Sequence, residues 1–164
     1  MVSTSLLPYD YRIIRCPSTG DEELQTNTPS PIHDFSEVKA FRARPQLHAL
    51  FERAAALPCW HGRVHFGAFL SGAARIHCAT YRDELVRAFS DRGLVVGGDM
   101  EGVGLLASSD ETESRWIMVK AISDFADADR DGVIRETRPR ACYNSTLFVL
   151  SALLGEELPR AQPR

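Results

Sequence analysis

Between Pro45 and Leu57 the apolar residues Leu47, Leu50, Phe51, Ala54 and Leu57 recur at intervals of three and four, which predicts an amphipathic helix stopped by Pro58. Thr80 followed by Asp83 is similar to a capping box, with Asp in place of the usual Glu, and opens a second helix expected to bury Leu85, Val86 and Phe89 and to end near Gly93. Arg138 to Leu154 reads as a last amphipathic helix closed by Gly155. The shorter apolar runs have strand character. Leu6 to Arg15 suits a strand that Pro8 confines to an edge or an interrupted start, Val64 to Leu70 a strand broken by Ser71-Gly72, and Leu94 to Val96 a short buried one. Trp116 to Ile122, WIMVKAI, is so nearly continuous that it predicts a central strand covered on both faces. Met100 to Ala107 alternates bulky and tiny residues, a small-residue helix whose glycines suit close packing on a sheet. Strands alternating with helices make the class α/β, a mixed central sheet flanked by helices.

Polar stretches divide these elements. Pro, Ser, Thr, Gly and acidic residues dominate from Cys16 onward, so residues 16–36 are expected to form a loop, Ser108 to Ser114 a surface loop, and 156–164 a flexible tail. A chain of 164 residues supports one domain, expected over 1–155. The formal charge of −3 gives no drive toward phosphate backbones, so a nucleic-acid partner is not expected. No run approaches the roughly 20 apolar residues that span a bilayer, and the first residues, MVSTSLLPYDYRIIR, do not read as a leader, so no membrane partner and a cytoplasmic location are expected. Cys16, Cys59, Cys78 and Cys142 lie far apart without a Cys-x-x-Cys pair, in keeping with reduced thiols.

Three constellations carry candidate chemistry. Asp127, Asp129, Asp131, Gly132 and Ile134 fit the front of a calcium loop, but Arg138 stands where the bidentate Glu belongs, so a solvated acidic loop is the better reading. Cys59, His61, His65 and His77 match no closed zinc spacing. No metal and no cofactor is expected. The third set is Ser71-Gly72, Met100-Glu101 and Ser123-Asp124, each at a strand end or helix start, where ligands gather in open α/β sheets. Each pair also has a plain structural role open to it, since a Glu at a helix start complements the dipole and an Asp after a strand caps a turn.

The stretches LSGAARI, GGDMEGVGL and VKAISDFAD, in that order, resemble hallmarks of the nucleoside phosphorylase and nucleosidase superfamily, which includes methylthioadenosine/S-adenosylhomocysteine nucleosidase. The GGDMEG and WIMVKAISDFAD forms are most similar to phosphorylase-like domains of modular bacterial signalling and defence proteins, and the resemblance covers roughly Leu6 to Leu154. It implies that Glu101 accepts hydrogen bonds from the ribose 2′ and 3′ hydroxyls, that Met100 packs on the sugar, and that Asp124, oriented by Ser123, protonates or hydrogen-bonds the purine N7. Lys120 stands where the nucleosidases often carry Arg. Arg75 takes the place of an aromatic ring on the base, and Ile76 offers backbone hydrogen bonds to the base edge.

The opening strands of that family, with the phosphate or water site, precede the point where this sequence starts. The expected fold is therefore nucleoside phosphorylase-like without its N-terminal strands, and the open sheet edge leads one to expect a homo-oligomer or an N-terminal segment outside the sequence. The implied activity is cleavage of the glycosidic bond of a purine nucleoside, by water or phosphate. The alternative is a non-catalytic nucleoside or nucleotide sensor domain, for which an absent nucleophile site is no handicap.

Overall fold

The computed structural model describes residues 1–10, 13–15, 32–107 and 116–155. A four-stranded mixed sheet has the order β4-β1-β5-β6. Its strands are β1 (Val2–Pro8), β4 (Phe41–Arg42), β5 (Phe66–Ser71) and β6 (Val95–Asp99). β1, β5 and β6 run parallel, and β4 is antiparallel to β1. Among the described residues four α-helices accompany it: α1 (Pro45–Ala55), α2 (Ala79–Ala88), α3 (Gly102–Ala107) and α4 (Arg130–Leu154). A separate ribbon pairs β2 (Ile13–Arg15) with β3 (Ile32–Asp34). Part of the stretch expected as a loop over 16–36 is thus a strand; residues 16–31, the loop Ser108 to Ser114 and the tail 156–164 lie outside the described residues.

Alternation of side chains along β1 and β5 sends apolar residues to both faces. Leu6 and Phe69 join Ala43, Trp116 and Met118, while Leu7, Ala68 and Leu70 face Tyr9, Val38, Leu85 and Phe89. A further cluster, Phe51 and Ala54 of α1 with Leu147, Phe148 and Ala152 of α4, closes over Val2 and Trp60. The nearly unbroken apolar runs of β1 and β5 follow from this double covering. Among the described residues no helix is long and apolar enough to cross a membrane.

Four sequence expectations change. β1 is an interior strand rather than an edge, because Pro8, its last residue, falls where the ladder ends and its missing N–H costs nothing. WIMVKAI forms no regular strand: only Val119 bridges, antiparallel to Val2. A bulge in β1 between Ser3 and Ser5 interrupts the register, and the Ser3 hydroxyl accepts the Met118 N–H at 2.8 Å in place of a backbone carbonyl. The capping box at Thr80 is not used. α2 begins at Ala79 after Cys78, Asp83 takes the Arg82 Nε–H at 2.8 Å, and Val86 is exposed. Finally, α4 starts eight residues before Arg138 and carries Pro139 in its interior. Its first turns are fastened by tertiary bonds, described below, which outweigh the helix-breaking preference that favoured a later start.

Candidate functional site

β5 and β6 end side by side, Ser71 opposite Asp99, and α3 begins three residues later. Asp99 Oδ1 accepts from Ser71 Oγ at 2.9 Å, from the Glu101 N–H at 2.9 Å and from the Gly102 N–H at 2.6 Å. Ser71 Oγ in turn accepts the Val103 N–H at 3.0 Å. Two side chains thereby satisfy three orphan donors of a six-residue helix that has little cooperativity of its own. Gly102 is needed here, since a Cβ would lie 2.8 Å from Ser71 Oγ and 2.9 Å from Met118 Cε. The dipole-complementing role read for Glu101 in the sequence therefore belongs to Asp99. Asp99→Ala is expected to cost about 1–2 kcal/mol, a fall of roughly 2–8 °C in Tm, whereas Asp99→Asn should keep much of the cap. Thermal unfolding of the two variants side by side checks this.

The cap leaves Met100 and Glu101 in the turn between β6 and α3. Glu101 is exposed, and its Oε2 accepts from Lys120 Nζ at 2.7 Å. The backbone of Lys120 is fixed in turn, donating its N–H to the Met1 carbonyl at 3.0 Å. The hydrogen bond from Lys120 holds the Glu101 carboxyl below the usual glutamate range. Because that value is lowered in the fold, the pair adds stability above the unfolded glutamate pKa and loses it as pH falls through the depressed value. At such exposure the contribution is below about 1 kcal/mol.

Asp124 follows the WIMVKAI stretch and is largely buried. Its Oδ2 accepts from Ser123 Oγ at 3.0 Å and lies 3.4 Å from Arg130 Nε, while Oδ1 accepts the Ala126 N–H at 3.1 Å. Arg130 and Asp124 are exposed by only 11% and 17%, so the pair is screened far less than that of Glu101 and Lys120. Ala126 is held at φ 55°, a left-handed conformation that costs a residue with a Cβ about 1–2 kcal/mol and that the bond to Asp124 helps to offset. Thr137 on α4 donates to the Ser123 carbonyl, tying the helix to the same turn.

These elements enclose one cleft of about 840 Å³. Of the residues singled out in the sequence, Arg75, Ile76, Met100, Glu101, Lys120, Ser123 and Asp124 line it. Ser71 and Gly72, expected at the substrate, are not part of this lining: Ser71 is fully buried and spent on the α3 cap, and the space above Gly72 is filled by the Tyr9 ring. Sequence reasoning missed Arg82, Arg130 and Arg138, which also line the cleft. Arg138, Ala141, Cys142 and Ser145 share a spacing of three, four and seven, so the helix read over Arg138 to Leu154 already held them on one face; Arg130 lay outside it. Only the front of the calcium-like run, residues 127–129, is a turn, and from Arg130 onward it is helix. Asp129 precedes α4, Asp131 lies in its first turn, and Asp127 Oδ1 takes the Asp129 N–H. Among the described residues no three His, Cys, Asp or Glu side chains converge as metal ligands; His77 instead lies 3.8 Å from Asp131.

The model of the phosphorylase superfamily matches residues 1–153. A death domain-containing ATP nucleosidase from Amphimedon queenslandica is 29% identical over 91 residues, which are 56% of this chain and 16% of that protein. Among solved structures, 5′-methylthioadenosine/S-adenosylhomocysteine nucleosidase from Neisseria meningitidis, in complex with methylthio-immucillin-A, superposes with a TM-score of 0.64 at 19% identity, over 94% of this chain and 60% of the other. The enzyme from S. pneumoniae with the transition-state inhibitor MT-ImmA gives a TM-score of 0.67 at 16% identity, over 93% and 59%. The chain thus spans about three fifths of the nucleosidase structures it resembles and a sixth of the Amphimedon queenslandica protein. The matched span takes in β1 through nearly all of α4, the bulk of the cleft included, and the chain belongs to the phosphorylase superfamily.

Proposed function

We propose that the cleft holds a purine nucleoside and that the domain, residues 1–155, cleaves its N-glycosidic bond. The observation that supports this is the placement of Glu101 and Asp124, from separate elements, on one cleft with Met100, Ile76 and Lys120. In this reading Glu101 accepts from the 2′ and 3′ hydroxyls, with Lys120 keeping it ionised, and Met100 packs on the sugar. Asp124 serves the purine N7 as the base departs with the bonding electrons, Ser123 holds its carboxyl, Ile76 meets the base edge through its backbone, and Arg75 stacks on the ring. Water or phosphate then completes C1′. Ser71 and Gly72 support the site from behind. The domain acts in the cytoplasm on a small molecule, as a homo-oligomer, and without nucleic acid, membrane or cofactor.

One observation favours the sensor reading for the chain as it stands. The carboxylates lining the cleft are Asp99, Glu101 and Asp124, and each is already engaged: by the α3 cap, by Lys120 and by Arg130. Among the described residues Glu101 and Asp124 are thus held by cations that oppose their taking a proton from attacking water, and Asp99 spends Oδ1 on the cap while its Oδ2 is buried.

Release of free base from adenosine and inosine, with thermal shift as the measure of binding, separates the two. Nucleoside stabilisation of the chain that is lost in Glu101→Gln is expected on both readings, and base release on the first alone. Binding should persist below the usual glutamate range, because Lys120 holds the Glu101 pKa down, and should weaken as pH falls through the depressed value. Stabilisation equal in the parent and Glu101→Gln would remove the ribose assignment.

A further inference from the structure

The turn that carries Asp124 also holds an aromatic ring to which neither the core nor the reading above gives a role. Phe125 lines the cleft and is 67% exposed, more than any other large apolar residue of that lining. Among the described residues one other ring, that of Tyr9, lines the cleft, and it is buried over Gly72 among Leu7, Leu70 and Leu85. A phenyl side chain left in water adds little to the core, yet the backbone around this one is held in place from several sides. Arg82 reaches from α2 to donate to the Phe125 carbonyl at 2.6 Å, and the next residue, Ala126, is kept at φ 55°. The residue before it, Asp124, is fixed by Ser123, Ala126 and Arg130. Strained backbone that its surroundings over-determine in this way gathers where a side chain is held ready for a ligand.

A purine presents an edge of donors and acceptors and two flat π faces. In the placement proposed above, Asp124 and Ile76 meet the edge, the planar guanidinium of Arg75 covers one face, and Met100 is taken by the sugar. The second face has no partner, and the residue directly beside Asp124 carries an open ring. An aromatic ring matches a purine face in shape and in quadrupole, and it gains from leaving water as it stacks. We infer that Phe125 stacks on the base, covering the face that Arg75 leaves open; this deepens the nucleoside reading and rests on the placement of the base at Asp124.

Phe125→Trp supplies a direct probe that needs no turnover, because Trp60 and Trp116 are buried and neither lines the cleft. Adenosine is expected to quench the emission of this variant over the same concentrations at which it raises Tm, and ribose to leave the emission unchanged. Adenosine affinity should fall roughly tenfold to a hundredfold in Phe125→Ala and nearly as far in Phe125→Leu, which keeps apolar volume without a ring, but stay within about threefold of the parent in Phe125→Tyr. Phe125 is exposed, so the Tm of the unliganded variants should match that of the parent. Affinity unaltered in Phe125→Ala, or kept in Phe125→Leu as well as in Phe125→Tyr, overturns the inference and leaves the nucleoside reading standing. A Phe125→Trp protein that binds adenosine with no change in emission does the same. Adenosine that fails to bind the parent removes the nucleoside reading and this inference together.

Discussion

Asp124→Asn is expected to lower base release by roughly two to four orders of magnitude, the usual range for loss of a positioned acid or base. The substitution keeps the shape of the side chain but removes the charge that faces Arg130 and one of the acceptors that Ser123 and Ala126 address. It also strands a guanidinium that is only 11% exposed. Arg130 keeps a second carboxylate, Asp131, at 3.4 Å, so the loss of stability should stay near 1–2 kcal/mol rather than the 3–5 kcal/mol of a fully buried orphan. Rate and Tm are to be recorded on the same preparations. A hundredfold or greater loss of rate with a Tm drop of only a few degrees assigns the effect to chemistry; equal rates in the two proteins would take Asp124 out of the reaction.

Gly72→Ala should be among the most damaging small changes in the chain. A methyl at this position would lie 2.4 Å from Tyr9 Cζ and 2.6–2.7 Å from two further ring atoms. The ring has no free direction of escape. Tyr9 is 2% exposed, packs with Leu7, Leu70 and Leu85, and its hydroxyl donates to the Ala74 carbonyl at 3.1 Å. Relief must come from the backbone, at a cost of about 2–3 kcal/mol, or roughly 5–10 °C in Tm. The same shift would carry Arg75 and Ile76 away from the cleft, so nucleoside binding should fall with stability. Tyr9→Leu in the Gly72→Ala background should recover part of the loss in thermal unfolding, and strict additivity of the two changes would show that the ring is not the obstacle.

What the sequence disclosed depended on whether a residue's role was local. The apolar spacing of Leu47, Leu50, Phe51 and Ala54 located α1, because a helix burying one face needs that period whatever it packs against. The three motif pairs were visible as strand ends and helix starts, and two of them do reach one cleft. The strand at WIMVKAI was misread because apolar content reports burial, and burial here comes from Trp116 and Met118 packing on Leu6 and Phe69 rather than from ladder pairing. That Asp99 with Ser71, and not Glu101, complements the start of α3 was hidden, since which of two nearby acids caps the helix is decided by a hydrogen bond to a residue 28 positions away. Arg130 stayed hidden behind Pro139, whose ordinary meaning is a helix start.

Pro139 has a kinetic meaning as well. With no N–H to give, it leaves the Arg135 carbonyl without its helical partner and divides α4 into two stretches of unequal protection. Beyond the proline, Leu147, Phe148, Ser151 and Ala152 anchor the helix in the core, so its amides should exchange with solvent only on near-global opening. Ahead of it, residues 131–138 expose most of their side chains and are fastened by Arg130 and Thr137 to the turn that holds Asp124. That stretch is a local opening unit whose exchange rate reports on the Asp124 turn: whatever tightens the turn slows the amides of the first two helical turns and leaves those of the last four untouched.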